Sequence, residues 1–356
     1  IKELLDDIQN ISFDNIEATA FLGYTRNECE AKVIDIVVNG EHTEMTAEGD
    51  NAVIVLDSTV FYAESGGQIG DSGVISAING NALVSDTKKN QSGIFTHFCK
   101  IESGVISVGD TVTAKIDIAR REDIKRNHTA AHLLQAGLRA VLGTHVEQAG
   151  QLVNEKSVRF DFTHFQAMTP EELGRVEREV NRQVLAGMNI KTDVMTMEEA
   201  RKSGAMALFG EKYGKIVRVV RMGDFSTEFC GGTHVDNTAR IGLFKIISET
   251  SVAAGVRRIE AVTGLGILAL IAEKESLINS TAAELKSANA SEIAKRAAQL
   301  QGELRAAKRE IDSLNSGIAA SKIGEIVNNA VDVKGVKLAT AEFDGMQLDV
   351  ARSLAD

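Results

Sequence analysis

The chain has 356 residues, of which 44% are hydrophobic and 4% aromatic, and its formal net charge is −11. This length exceeds what one ordinary core accommodates, so we expect about two to four domains. The acidic balance argues against a protein that coats nucleic acid nonspecifically, although it allows a local basic patch. The three cysteines form no even disulfide framework, which favours a reducing compartment. No run of residues suggests a membrane span or a signal peptide, so we predict a cytoplasmic protein without a membrane partner.

The first third of the sequence predicts a domain built from strands. Residues 1–15 begin with a helical pattern, and they are interpreted as a linker or the tail of a helix in a longer polypeptide. From 16 to 118, short apolar runs are separated by Gly, Asn and Asp. The clearest strand candidates are 30–38, 51–56, 73–78 and 111–118. Strands of this length and spacing predict a small β-barrel-like domain.

The middle of the chain, residues 119–265, mixes helices and strands without strict alternation, which predicts an α+β core. One helix follows a basic stretch and is expected to run to about Leu142. A second helix is expected where Thr169 can cap it and Pro170 can take its first position, with Gly187 as the stop. Strands are predicted at 150–153, 157–162, 191–195 and 216–222.

The last third predicts long helices. Residues 266–322 are rich in Ala, Glu, Lys and Arg, and they indicate a helical coiled-coil hairpin that turns near 287–291. Its apolar seam would comprise Ile293, Ala297, Leu300, Leu304, Ile311, Leu314 and Ile318. Residues 323–356, with a predicted strand at 335–341, are interpreted as the truncated start of a C-terminal α/β domain. The predicted fold class is therefore a multidomain α+β protein, in which the hairpin and the C-terminal domain could form a dimer.

Two short motifs predict a metal site. His128 and His132 are four residues apart, so on a helix they lie on one face. Cys230 and His234 have the same spacing, and two glycines between them allow the loop to bend sharply. Imidazole and thiolate ligands suit zinc, which binds three protein ligands plus water in catalytic sites and four in structural ones. The sequence leaves both arrangements open.

The pattern argues against two familiar classes of zinc protein. A metalloprotease of the His-Glu-x-x-His type needs an acid after the first histidine, but Thr129 occupies that position. The ligand spacing of DNA-reading zinc fingers is also absent.

Four segments together resemble the editing domain of alanyl-tRNA synthetases. They are Asn-His-Thr-Ala-Ala-His-Leu-Leu at 127–134, Glu-Phe-Cys-Gly-Gly-Thr-His-Val at 228–235, Arg-Met-Gly-Asp-Phe-Ser-Thr-Glu-Phe-Cys at 221–230 and the glycine-rich segment, 61–73. The domain is similar to one in threonyl-tRNA synthetases and to free-standing alanyl-tRNA editing proteins. The order of the parts, with a long hairpin after the core, favours a part of a bacterial-type synthetase over a free-standing editing protein.

This resemblance implies hydrolysis of the ester that joins serine or glycine to the alanine tRNA, whose acceptor end would be the partner. A pocket for alanine cannot exclude the smaller glycine, nor can it strongly reject serine, so a second hydrolytic site is needed. The resemblance implies one zinc ion as the cofactor, whereas ATP would bind only to an upstream domain of the full-length enzyme. The zinc ligands would be His128, His132, Cys230 and His234. If one of the four does not bind the ion directly, His234 is the candidate.

Further roles are expected for residues around these motifs. Gln148 would contact the substrate or water, Glu228 would hold the substrate's ammonium group or act as a base, and Thr129 would bond the serine hydroxyl. In the glycine-rich segment, Gly66, Gly67, Gln68 and Asp71 either shape the pocket mouth or form a simple β-turn. Phosphate contacts are expected from Arg126 and Arg257, with Arg120, Arg121, Lys125 and Arg258 as further candidates, although such residues often form a solvated face. The remaining histidines, His42, His97, His145 and His164, are interpreted as structural.

Another class of function remains open on the sequence. Zinc could close a structural site in a tRNA-binding or dimerisation module that has no hydrolytic activity.

Overall fold

The structure is a computed structural model that describes residues 12–13, 16–206, 214–340 and 342. The chain divides into two compact units, residues 1–270 and 271–356. Within the described part of the chain, no helix is long and apolar enough to cross a bilayer.

The first unit begins with a closed barrel. The strands in this part of the chain are β1 (Ala20–Phe21), β2 (Glu28–Val38), β3 (Glu41–His42), β4 (Asn51–Leu56), β5 (Ser58–Thr59), β6 (Gly73–Ser76), β7 (Gly80–Lys89), β8 (Phe95–Gly104) and β9 (Thr111–Ile116), of which β1 and β5 form a separate parallel pair. Six of them close in the antiparallel order β2-β4-β8-β7-β6-β9, because β9 also pairs with β2. Alternate side chains of β9 are buried, as a barrel with one packed face requires. The predicted small β-barrel is therefore confirmed.

The rest of this unit has helices packed on sheets. Its elements are α1 (Ile118–Leu142), β10 (Gln148–Val153), β11 (Val158–Thr163), α2 (Pro170–Leu185), β12 (Ile190–Thr196), α3 (Met197–Lys202), β13 (Ile216–Met222), β14 (Ser226–Phe229), β15 (Phe244–Ala253) and β16 (Val256–Thr263). One antiparallel sheet has the order β10-β11-β16-β15, and a second has the order β12-β13-β14. The helix α1 packs against α2 and the first sheet around a common apolar core.

Local signals explain where the helices begin and how closely they pack. The side chain of Asp117 caps α1 by accepting the N–H of Arg120, so the predicted strand at 111–118 ends earlier, at residue 116. Thr169 and Glu172 form a reciprocal capping box at α2, and Pro170 occupies its first position as predicted. Gly137 permits the close approach of the two helices, because a Cβ there would lie 3.2 Å from Cγ2 of Val180.

The second unit contains two helices of unequal length. The helix α4 (Leu265–Glu284) ends in this unit and α5 (Ile293–Asn328) follows after a turn at the predicted place. The coiled-coil packing is not confirmed, because the seam positions Leu304, Ile311 and Leu314 are 58%, 56% and 60% exposed. A 20-residue helix cannot cover one of 36 residues, since each residue adds only about 1.5 Å of length.

The chain end forms a small hairpin of β17 (Val331–Val333) and β18 (Val336–Leu338), whose residues are exposed. Its turn uses the left-handed conformation at Lys334 and Gly335. The predicted strand at 335–341 is thus shorter, and the predicted C-terminal domain is not confirmed. Most of 323–356 beyond this hairpin, like most of the predicted linker at 1–15, lies outside the described residues.

Candidate functional site

The two predicted metal motifs meet in one buried cluster. The candidate ligand atoms of His128, His132, Cys230 and His234 all lie within 4.8 Å of one another. The two histidines of α1 stack with ring centroids 5.3 Å apart, as the i, i+4 spacing on a helix dictates. Cys230 and His234 come from the loop after β14, which folds back onto α1.

The spacing within the cluster suits a small soft cation. The Cys230 sulfur lies 3.4 Å from Nε2 of His128 and 3.2 Å from Nε2 of His234. Ligands at Zn–N and Zn–S lengths of roughly 2.0–2.3 Å in tetrahedral geometry are about 3.3–3.6 Å apart. These two sulfur–nitrogen distances therefore match those of a zinc site.

The outer nitrogen of His128 is held by the glycine-rich segment. Nδ1 of His128 lies 2.7 Å from Oε1 of Gln68, and this oxygen also accepts the backbone N–H of Thr233 at 2.9 Å. The amide nitrogen of Gln68 donates to Oγ1 of Thr233 at 2.9 Å. Because Oε1 can only accept, Nδ1 of His128 is the donor in this contact, and Nε2 of the ring faces the cluster.

The other two imidazoles are oriented in the same way. Nδ1 of His132 lies 2.6 Å from Oε2 of Glu228, whose other oxygen accepts the hydroxyl of Ser226 at 2.8 Å. Nδ1 of His234 lies 3.2 Å from Oγ1 of Thr129, which itself donates to the carbonyl of residue 125. All three rings therefore turn Nε2 toward the sulfur.

One atom of the cluster lacks a partner. Nε2 of His132 is buried without a hydrogen bond among the described residues. A buried polar atom of this kind is costly unless something binds it. A cation bound by three imidazoles and a thiolate would satisfy it, so the residues fit a zinc-type metal.

The electrostatics of the metal-free cluster favour the thiolate. Burial alone would raise the pKa of the Cys230 thiol, but the neighbouring imidazoles hold it well below its usual range. Burial lowers the pKa of His132, yet the Glu228 carboxylate and the Cys230 sulfur more than offset this and raise it to about 10. Burial lowers the pKa of His234 to about 3, so that ring is neutral. The sulfur thus has the charge that a metal ligand needs.

The second glycine of the loop is required by the packing. A Cβ on Gly232 would lie 2.0 Å from Cε1 of His128 and 2.9 Å from Oε1 of Gln68. A Cβ on Gly231 would meet nothing within 4 Å. Only Gly232 therefore allows the close approach between the loop and α1.

Cavities open on two sides of the cluster. The first, called the cysteine-side cavity, is lined by residues that include Tyr62, Gly66, His128, Gln151, Arg218 and Cys230. The second, called the histidine-side cavity, is lined by residues that include Tyr24, Lys125, Arg218, His234 and Arg240. A small substrate in either cavity would reach part of the cluster.

The structure brings most of the glycine-rich segment to the cluster. Gly66 lines the cysteine-side cavity, and its carbonyl accepts the side-chain amide of Gln151 at 2.6 Å. Gly67 has a φ of 79°, and a Cβ there would lie 2.5 Å from the carbonyl oxygen of Gln151. The close approach of Gln151 explains Gly67, whereas Gly66 has a positive φ of 57° that favours glycine.

Asp71, predicted at the pocket mouth, is instead engaged in a buried ion pair. It is 1% exposed, and its carboxylate accepts several hydrogen bonds from the guanidinium of Arg121. Arg121 also donates to the carbonyls of Gly23 and Val60. These contacts give Arg121 no exposed face for a phosphate and support a structural role for the pair.

The remaining predicted residues are not drawn into the cluster by any described contact. Gln148 lies at the start of β10, opposite residue 162 of β11. Arg126 forms an ion pair with Asp123, and Arg257 forms a bidentate pair with Glu249 at 2.5 and 2.7 Å. The other basic candidates also have acidic partners, namely Arg120 with Glu155, Lys125 with Glu122 and Arg258 with Asp161. Substrate and phosphate contacts by these residues stay predictions.

Three contributing residues were missed by the sequence reasoning: Tyr24, Gln151 and Arg218. Tyr24 and Gly231 are 207 positions apart in the sequence, and only the folded chain brings them together. Of the histidines interpreted as structural, His97 is buried between Oγ1 of Thr59 and the carbonyl of Ile54.

Two family models match parts of the chain. The family model for class II (A) tRNA synthetases matches residues 2–120. The model for the second additional domain of threonyl and alanyl tRNA synthetases matches residues 217–260, which include Cys230 and His234.

Curated proteins named alanine–tRNA ligase resemble the chain over almost its whole length. The protein of Acetivibrio thermocellus is 46% identical over 99% of this chain and 40% of its own length. The protein of Idiomarina loihiensis is 46% identical over 99% of this chain and 40% of its own length. The protein of Bacillus subtilis is 45% identical over 96% of this chain and 39% of its own length. The chain thus spans about two fifths of the length of these relatives. Since nearly all of it aligns at close to half identity with enzymes of one name, the chain belongs to the alanyl-tRNA synthetase family.

Proposed function

We propose that the chain contains an editing site, which hydrolyses the ester that joins serine or glycine to the alanine tRNA. The observation that carries the proposal is the convergence of three imidazole nitrogens and one sulfur beside a cavity. The match to the second additional domain and the name of the relatives support it. For the full-length enzyme we propose alanine–tRNA ligation in the cytoplasm, with ATP bound outside this chain.

The substrate class follows from the limits of amino-acid selection. A binding pocket for alanine accepts glycine because glycine is smaller, and one added hydroxyl rejects serine only weakly. A second site that hydrolyses wrong esters removes both errors. Such a site spares alanine if it binds the serine hydroxyl, because alanine would leave the polar partners unpaired.

His128, His132, Cys230 and His234 would hold one zinc ion. When bound, it would supply Lewis acidity toward a carbonyl or a water molecule, or anchor the terminal adenosine of the tRNA. The ester would enter the cysteine-side cavity, where His128 and Cys230 form part of the wall.

Residues around the ligands keep the site ready for the cation. Gln68, Glu228 and Thr129 each bind Nδ1 of one imidazole, so that each Nε2 faces the site. Both oxygens of Glu228 are engaged and the residue is 1% exposed. We therefore propose that Glu228 and Thr129 position histidines rather than transfer protons.

We also propose contacts with the tRNA. Arg126 and Arg257 would bind phosphates by exchanging their present acidic partners for the tRNA backbone. Gln148 would contact the substrate from the β10 side, and Gln151 lies in the cavity wall itself.

A second candidate function has one observation in its favour. Four converging protein donors are typical of structural zinc sites, whereas catalytic sites keep one position open. On this alternative, the chain is a zinc-stabilised module that binds tRNA or dimerises without hydrolysing the ester.

Ester hydrolysis separates these functions. The purified chain is incubated with serine-charged alanine tRNA, and the remaining ester is measured over time. We expect loss of the serine ester well above the rate without protein, sparing of the alanine ester, and a roughly 100-fold or greater decrease in Cys230→Ala. Cys99→Ala is the matched control, because Cys99 is also a buried free cysteine but lies in the barrel.

The metal content distinguishes the ways in which this proposal could fail. Stoichiometric zinc without ester loss would favour the structural module. Zinc content that is unchanged in Cys230→Ala and His132→Ala would refute the ligand assignment itself.

A further inference from the structure

Two side chains hold the turn that carries the Cys230 sulfur by donating hydrogen bonds to its backbone carbonyls. Nη1 of Arg218 donates to the carbonyl of Cys230 at 2.9 Å and to that of Gly232 at 2.7 Å. The hydroxyl of Tyr24 donates to the carbonyl of Gly231 at 2.6 Å. Three successive carbonyls thus have a side-chain donor each, although the glycines of the turn offer no side chain for packing.

The two donors also support each other. The guanidinium carbon of Arg218 lies 4.3 Å from the centroid of the Tyr24 ring, which is a cation–π contact. The Tyr24 ring makes an edge contact with Phe21 at 4.9 Å between centroids. Tyr24 lies in the link from β1 into the barrel strand β2, whereas Arg218 belongs to β13, so the contact between them joins the barrel region to the cysteine turn.

The position of this pair matters for the site. The sulfur of Cys230 must stay within about 3.5 Å of the imidazole nitrogens to share a cation with them. A turn with two glycines has a wide choice of backbone conformations unless other groups restrict it. Arg218 and Tyr24 restrict it from outside the ligand set.

We propose that Tyr24 and Arg218 are positioning residues of the metal site: by holding the carbonyls of residues 230–232, they fix the Cys230 sulfur relative to the three imidazoles. The barrel region is then a necessary part of the site. This inference rests on the proposed binding of a metal by the cluster. Neither residue is one of the four candidate ligands.

Zinc affinity, measured by competition with a chromogenic chelator, tests the proposal. Tyr24→Phe keeps the ring and its contacts but removes the hydroxyl, and we expect about tenfold weaker zinc binding. Arg218→Lys keeps the charge but lacks the planar guanidinium, which lies over the Tyr24 ring and donates to two carbonyls. We therefore expect a similar or larger loss of zinc affinity. In both variants the cobalt–thiolate absorption of the cobalt-loaded protein should shift, since it reports the geometry at the sulfur.

Arg139→Lys is the matched control. Nη1 of Arg139 also donates to two backbone carbonyls, those of Thr144 at 2.8 Å and Val146 at 2.6 Å, in the loop after α1. This substitution should lower the melting temperature while zinc affinity and the cobalt spectrum stay at wild-type values.

The outcomes separate this inference from the proposed function. A wild-type chain that binds no zinc removes both. A wild-type chain that binds zinc, with unchanged affinity and cobalt spectrum in Tyr24→Phe and Arg218→Lys, overturns only the positioning role. Equal losses of affinity in Arg139→Lys would also overturn it, because they would show a general effect of stability.

Discussion

The buried ion pair between Asp71 and Arg121 provides a quantitative test of how the barrel is joined to α1. Each residue is 1% exposed, and the pair connects the glycine-rich segment to the first turn of the helix that carries two of the candidate ligands. We predict that Asp71→Asn destabilises the fold of the first unit. A role in binding substrate would instead leave stability unchanged.

The magnitude follows from the partners that each charge would keep. Asp71→Asn leaves the guanidinium of Arg121 with the carbonyls of Gly23 and Val60, and an uncompensated buried charge of this kind costs about 3–5 kcal/mol. Arg121→Met leaves the carboxylate with the backbone N–H of Tyr62 and should cost a similar amount. The loss of stability in the double variant should be about 2–3 kcal/mol smaller than the sum of the two single losses, because no charge remains unpaired.

The assay uses the tyrosines of the junction. The chain has no tryptophan, and Tyr24 and Tyr62 are two of its three tyrosines, so urea unfolding can be followed by tyrosine fluorescence. With an m-value of about 3 kcal/mol per molar urea, the single variants should lower the midpoint by about 1 M or more. If Asp71→Asn unfolds at the same urea concentration as the wild type and binds the charged tRNA more weakly, the structural role is refuted.

Three further predictions concern single positions. Gly232→Ala should weaken zinc binding at least tenfold, because the new Cβ would meet the ring of His128, whereas Gly231→Ala should bind zinc like the wild type; equal affinities, measured by chelator competition, would contradict this. Burial lowers the pKa of His97 to about 4, below the unfolded value of about 6.5, so its contribution to stability is present above pH 6.5 and is lost as the pH falls toward 4. The free energy of unfolding, measured by urea titration at each pH, should therefore fall by up to about 3 kcal/mol over this window, and by clearly less in His97→Gln. Thr169→Ala should cost about 1 kcal/mol through loss of the capping box, seen as earlier thermal unfolding by circular dichroism; an unchanged transition would show that the cap is dispensable.

Local signals in the sequence predicted those parts of the fold that depend on near neighbours. The start of α2 was predicted correctly because Thr169 and Pro170 act within one turn of the chain. The barrel was predicted from the length and spacing of the strand candidates, which can be read from local runs of apolar residues. The coiled-coil seam is not confirmed at Leu304 and Ile311, because three-four spacing describes one face of a helix and not whether a partner covers that face.

The difference between local signals and long-range contacts also explains which residues of the candidate site were predicted. The i, i+4 spacing of His128 and His132 is a property of one helix, so these residues were found together. The partner of His128 is Gln68, which lies 60 positions away, and no spacing rule connects them. Glu228 was singled out for its short separation from Cys230, but its hydrogen bond to His132 depends on the packing of a hairpin against α1.

These contacts make the barrel region part of the site, with a consequence for dynamics. Nδ1 of His128 finds its partner, Gln68, only while the glycine-rich segment stays docked on α1. A cation that binds the docked cluster and not the undocked one must stabilise docking, by about 2.7 kcal/mol at a concentration one hundred times the dissociation constant. Backbone amides of residues 61–73 should therefore exchange about a hundredfold more slowly when zinc is added, if their exchange proceeds by undocking. Gln68→Ala should remove most of this protection, whereas Thr169→Ala should leave it intact, because its helix cap does not contact the cluster. Equal exchange with and without zinc would mean that the cluster binds its cation without help from the barrel.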